Sequence, residues 1–104
     1  MAIVAFGAQG IDLFEHADNR CERFVPERTG LDHLALAAES LVELQWWASW
    51  LDAHEVARSE TREVHDIGAM LEFVDPDGIQ LELIFIDLEK LQRGPNRPSA
   101  RRQI

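Results

Sequence analysis

Phe73-Val74-Asp75-Pro76-Asp77-Gly78-Ile79-Gln80-Leu81-Glu82-Leu83-Ile84-Phe85-Ile86 is the segment from which the rest of the chain can be organised. Pro76 suits the second position of a tight turn, and Gly78 supplies the positive φ needed at its close. From Ile79 to Ile86 the residues alternate in the manner of a strand with two unlike faces. Gly68-Ala69-Met70-Leu71-Glu72-Phe73-Val74 on the near side of the turn is a second strand. The two read as a hairpin.

Upstream, Leu31-Asp32-His33-Leu34-Ala35-Leu36-Ala37-Ala38 alternates as well, with Leu34 and Leu36 on one face and His33 and Ala35 on the other. Ser40-Leu41-Val42-Glu43 then has the form of a capping box, in which the Ser hydroxyl and the Glu carboxylate each satisfy an orphan amide. Behind it Leu44, Trp47, Ala48 and Leu51 recur at helical spacing, predicting a helix buried on that face and ending near His54. Val56 to Arg62 is expected as a polar edge strand. Residues 31–86 thus predict strand, helix, strand, strand, strand, an α+β module of βαβββ order forming a curved mixed sheet with one main helix.

The flanks are simpler. Residues 1–16 predict a β-hairpin, Ala2-Ile3-Val4-Ala5-Phe6 and Ile11-Asp12-Leu13-Phe14-Glu15-His16 around a turn bounded by Gly7 and Gly10. Residues 17–30 are polar and form a linking loop, with a short extended piece near Phe24-Val25. Residues 87–104 form a basic C-terminal tail expected to be solvated and frayed.

The chain has 104 residues, room for one compact domain but not for two ordinary cores. Residues 1–89 hold all 19 acidic side chains against five basic ones, a net −14, whereas the last fifteen residues carry five basic side chains and no acid. An acidic body repels phosphate backbones, which argues against nucleic acid as a partner. No apolar run is long enough to cross a bilayer, which argues against a membrane span. A single cysteine, Cys21, excludes an internal disulfide. A soluble cytoplasmic domain is the expectation.

Gly30-Leu31-Asp32-His33-Leu34-Ala35-Leu36, the capped helix, Phe73-Val74-Asp75-Pro76-Asp77-Gly78 and Leu81-Glu82-Leu83 together resemble one module of the vicinal oxygen chelate superfamily. That superfamily includes glyoxalases, bleomycin-resistance proteins and extradiol dioxygenases. Its members usually carry two such modules and gather metal ligands from both, on strands that line a cup. The resemblance implies that His33 and Glu82 occupy two ligand positions for a divalent metal (Zn, Ni, Mn or Fe). Ile11-Asp12-Leu13 resembles the end of a preceding, otherwise absent module, which puts Asp12 at a third ligand position. Glu82 would also move protons if the chain is a lyase, isomerase or dioxygenase acting on a small oxygen-bearing substrate. His16 shares a strand face with Asp12 but lies about 13 Å away at ~3.3 Å per residue, so at most one belongs to a common site.

The other reading is a metal-free binder of a small molecule, with His33 and Glu82 as a relict pair in the pocket. The absence of the usual second histidine favours it. A half-built cup leaves a sheet edge uncovered, so a homodimer that completes the pocket is expected. Trp46 and Trp50 form a second apolar stripe with Val42, beside the buried face, and are the expected interface residues. His54 and His65 read as surface residues, and no basic or histidine partner marks Cys21 as a catalytic thiol.

Overall fold

The computed structural model describes residues 1–93. The expectations for Arg97, Arg101 and Arg102 in the basic tail lie outside those residues. The described residues form two sheets. Strands β1 (Ala2–Phe6) and β2 (Gln9–Leu13) make an antiparallel hairpin, while β3 (His33–Ala37), β4 (Arg62–Val64), β5 (Gly68–Val74) and β6 (Gln80–Ile86) make a four-stranded sheet in the order β3-β6-β5-β4. β3 runs parallel to β6 and the other pairs are antiparallel. A parallel neighbour requires a crossover, and helix α1 (Leu41–Ala53) begins it. This is the βαβββ order expected from the sequence.

α1 starts where the sequence places it. The Ser40 hydroxyl accepts from the Glu43 amide at 3.0 Å. The Glu43 carboxylate reaches back one residue beyond the cap, accepting from the Glu39 amide at 2.7 Å, so two donors are satisfied, although not the reciprocal pair of the standard box. Leu44, Ala48 and Leu51 pack on Ala69, Leu71 and Leu83 of the central strands, with Trp47 and Phe73 partly buried against them. Leu44 and Leu71 are completely buried.

The Asp75–Ile79 turn is held from inside: the Asp75 carboxylate accepts from the amides of Asp77 and Ile79, both at 2.9 Å, and Gly78 adopts φ +90. The same turn pins the linking segment, because the Phe24 amide donates to the Asp77 carbonyl at 2.7 Å and Arg23 donates to the Pro76 carbonyl at 2.9 Å. Phe24-Val25 lies in this linking segment, outside any regular strand.

Other boundaries also differ. β2 ends at Leu13 instead of His16. The expected edge strand over Val56–Arg62 is displaced: the regular strand is Arg62–Val64, preceded by a bridge between Arg58 and Phe73. The cause is the three-residue β4–β5 connection, in which His65 (φ +46) and Asp66 (φ +62) take the two central positions of a turn closed by the Ile67 amide on the Val64 carbonyl at 2.9 Å. Leu88–Arg93, expected as frayed tail, is a short helix α2, whose Lys90 amide is capped by the Asp87 carboxylate. Among the described residues no helix is long and apolar enough to cross a membrane.

Candidate functional site

Strand register assigns the faces. Leu36, Leu83 and Leu71 are successive partners across β3, β6 and β5 on the side covered by α1. The residues between them occupy the opposite, uncovered side: His33 and Ala35 on β3, Gln80 and Glu82 on β6, Glu72 on β5. His33 and Glu82 therefore come together as the alternation predicted, with His33 Nε2 3.9 Å from Glu82 Oε1.

Three further groups frame that pair. The Asp32 carboxylate lies 2.7 Å from His33 Nδ1, which orients the ring and directs Nε2 toward Glu82. Gln80 donates to Glu82 Oε1 at 3.2 Å. Glu72 is the direct cross-strand partner of Glu82, an arrangement of like charges that opposes sheet formation unless one is compensated. Arg62 compensates it by pairing with Glu72. The hydrogen bond that the His33 ring donates to Asp32, followed by the charge of Glu82, raises the His33 pKa above its ordinary 6.5. Sequence reading missed Asp32, Glu72, Arg62 and Gln80. Gln80 shares the strand alternation of Glu82, and counting register outward from the Asp75 turn reaches Glu72. For Asp32 no signal existed beyond adjacency.

The remaining candidates stand elsewhere. Asp12 is exposed on β2, in the separate hairpin sheet. Trp46 and Trp50 are exposed on α1, on the other side of the four-stranded sheet, where each packs edge-on against Trp47 and Trp50 also stacks on His54. A cavity of about 590 Å³ is lined by Leu41, Ile67 and Phe85 among others, and His33 is not part of its wall. A shallower depression of about 270 Å³ includes Glu72 and Gln80, the neighbours of Glu82.

As a metal centre the set is incomplete. A spacing of 3.9 Å is near the roughly 3–3.5 Å between two donors on one tetrahedral ion, so His33 and Glu82 could hold two corners. Among the described residues no third His, Cys, Asp or Glu joins them. Within the described residues of one chain the set stops at these two donors.

No family model matches this sequence, and no curated protein matches it. Solved structures do. A glyoxylase/bleomycin resistance protein/dioxygenase domain from Frankia sp. EAN1pec is similar with a TM-score of 0.61 and 32% identity, over 68% of this chain and 55% of that one. The chain thus spans about half the length of that structure. Lactoylglutathione lyase from Agrobacterium tumefaciens shares the fold with a TM-score of 0.62 and 20% identity, over 83% of this chain and 68% of that one. With its βαβββ order and these structural likenesses, the chain has the fold of the vicinal oxygen chelate superfamily.

Proposed function

We propose that this chain binds a small molecule on the uncovered face of its four-stranded sheet, in a pocket completed by dimerisation. The observation that carries the reading is the polar row His33, Glu82, Glu72 and Arg62 across four adjacent strands, with Gln80 tying down Glu82. Such a row offers acceptors and donors at fixed spacing. Met70 and Ile84, on the same face, supply apolar wall. Affinity then comes from shape and a few directed hydrogen bonds.

A metal-dependent lyase, isomerase or dioxygenase acting on a small oxygen-bearing substrate is the second reading. It draws support from the Asp32 carboxylate on His33 Nδ1, an outer-shell contact typical of ligating histidines. One experiment separates the two. Chelator-treated protein is screened for thermal stabilisation by a small-molecule library, and separately titrated with Ni, Zn, Mn and Fe(II) ions. Binding reads as ligands that stabilise the wild type and lose their effect in Glu82→Gln, with no stoichiometric metal uptake. Stoichiometric metal that is lost on His33→Ala supports the enzyme instead. Ligand stabilisation that survives in His33→Ala/Glu82→Gln refutes this face as the site.

A further inference from the structure

α1 does not cover the whole of the sheet side on which it packs. Its buried residues Leu44, Ala48 and Leu51 lie over the centre, around Leu71 and Leu83. The next cross-strand row on that side, toward the β4–β5 turn, is Glu63 on β4, Ala69 on β5 and Phe85 on β6. That row is the floor of the cavity of about 590 Å³, and Leu41 of α1, Ile67 of the turn and Lys90 of α2 complete its wall. The volume falls within the roughly 300–1,000 Å³ of small-molecule sites.

The wall is tied together by the chain itself. The Asp87 amide donates to the Ile67 carbonyl at 2.6 Å, which fastens the start of α2 to the turn, and the Asp87 carboxylate accepts from the Lys90 amide at 3.2 Å. A Cβ at Gly68 would overlap the Phe85 carbonyl, so glycine is what lets β5 come this close to the end of β6. The cavity is therefore preformed.

Its floor and its rim differ in chemistry. Ala69 is buried and Phe85 and Ile67 are half-buried, whereas Glu63, Asp66 and Lys90 are exposed at the rim. Arg62 also borders the cavity, but its charge is engaged by Glu72. Among the described residues the ion pairs of this end are Arg62 with Glu72 and Arg93 with Glu89, and Glu63, Asp66 and Lys90 take part in neither. Three carboxylates, those of Glu63, Asp66 and Asp87, thus face the opening against the one ammonium of Lys90. The net −14 of residues 1–89 acts in the same direction at longer range.

We propose that this cavity, on the α1 side of the sheet, binds an amphipathic organic cation: a protonated amine carried on an aryl or alkyl body. The body lies on Ala69 and Phe85 between Leu41 and Ile67, and the ammonium meets Glu63 and Asp66 at the rim. A carboxylate on the same body meets like charges there, which is the basis of discrimination. The site is on the opposite side of the sheet from His33 and Glu82, so it is independent of the function proposed for that face.

The test uses two probes with the same apolar body, 4-phenylbutylamine and 5-phenylpentanoate, titrated into nitrogen-15-labelled protein and followed by amide chemical shifts. The amine is expected to give saturable shifts at Ile67, Ala69 and Phe85, and the carboxylate none. Glu63→Gln/Asp66→Asn should weaken the amine roughly fivefold to tenfold while the amide spectrum stays dispersed. Leu41→Trp fills the opening and should abolish the shifts with both acids in place. Saturable shifts from the carboxylate equal to those from the amine overturn the assigned ligand class. Shifts confined to His33, Gln80 and Glu82, no saturable shift from either probe, or amine affinity unchanged in both variants overturns the site.

Discussion

Replacing Trp46 by Ala tests whether the aromatic stripe on α1 is a contact surface. Trp46 is 55% exposed, and a tryptophan presents up to ~250 Å² for burial, so about 140 Å² of it meets solvent. In a chain that stays alone, the substitution removes little beyond the edge-on contact with Trp47 at 4.9 Å between ring centres, worth about 1 kcal/mol. That cost is independent of protein concentration. If a second copy covers the stripe, the uncovered area converts to about 3.5 kcal/mol per copy at ~25 cal/mol/Å². Lost side-chain and association entropy reduces it to about 2 kcal/mol per copy. With two copies affected, the dimer dissociation constant rises roughly a thousandfold. Sedimentation velocity over a hundredfold concentration range, with urea unfolding at two concentrations, reads both terms separately. A two-chain wild type whose dissociation constant is unchanged by Trp46→Ala would refute the assignment of this stripe to the interface.

Two further outcomes concern the core and the site. Leu71→Ala removes a fully buried side chain between α1 and the sheet and should cost about 3–5 kcal/mol, checked by urea unfolding followed by far-UV circular dichroism; a loss below about 1 kcal/mol would mean the site collapses freely. His33 has a raised pKa in the folded chain, so its contribution to stability is fully present below its unfolded value near 6.5 and is lost as pH rises through the folded value. His33→Gln should therefore lower the calorimetric midpoint at pH 5.5 and leave it nearly unchanged at pH 8.5, and an equal loss at both would place the role of His33 in packing.

The parts of the fold legible in the sequence are those written in local chemistry. Ser40 and Glu43 fix where α1 begins, Asp75 and Gly78 fix the turn, and the leucines of β3 and β6 fix which face lies under the helix. His33 and Glu82 followed from that alternation, since residues opposite the leucines must share a side. What escaped depends on register between distant strands or on unusual turn residues. His65-Asp66 takes a conformation usually given to Asn-Gly, so β4 was expected too early in the chain. The pairing of Glu72 with Glu82, and Arg62 as the counter-ion, emerge once β4, β5 and β6 are aligned. The helix after Ile86 rests on an Asp87 cap whose sequence signal is overshadowed by the following Gly94 and Pro95.

The bonds from Arg23 and Phe24 to the Asp75–Ile79 turn also set a leash. Counted from β2 to β3, the connection runs through nineteen residues, but nine of them, Phe14 to Glu22, lie between the hairpin and the pinned pair. At ~3.3–3.6 Å per residue such a tether spans at most about 35 Å. The hairpin is therefore held within that reach of the turn that leads into β6 at Gln80, beside His33. Lengthening that tether would loosen the hold on the hairpin without altering a single contact in the sheet, so the chain length between Leu13 and Phe24 sets how far the hairpin can stand from the βαβββ module.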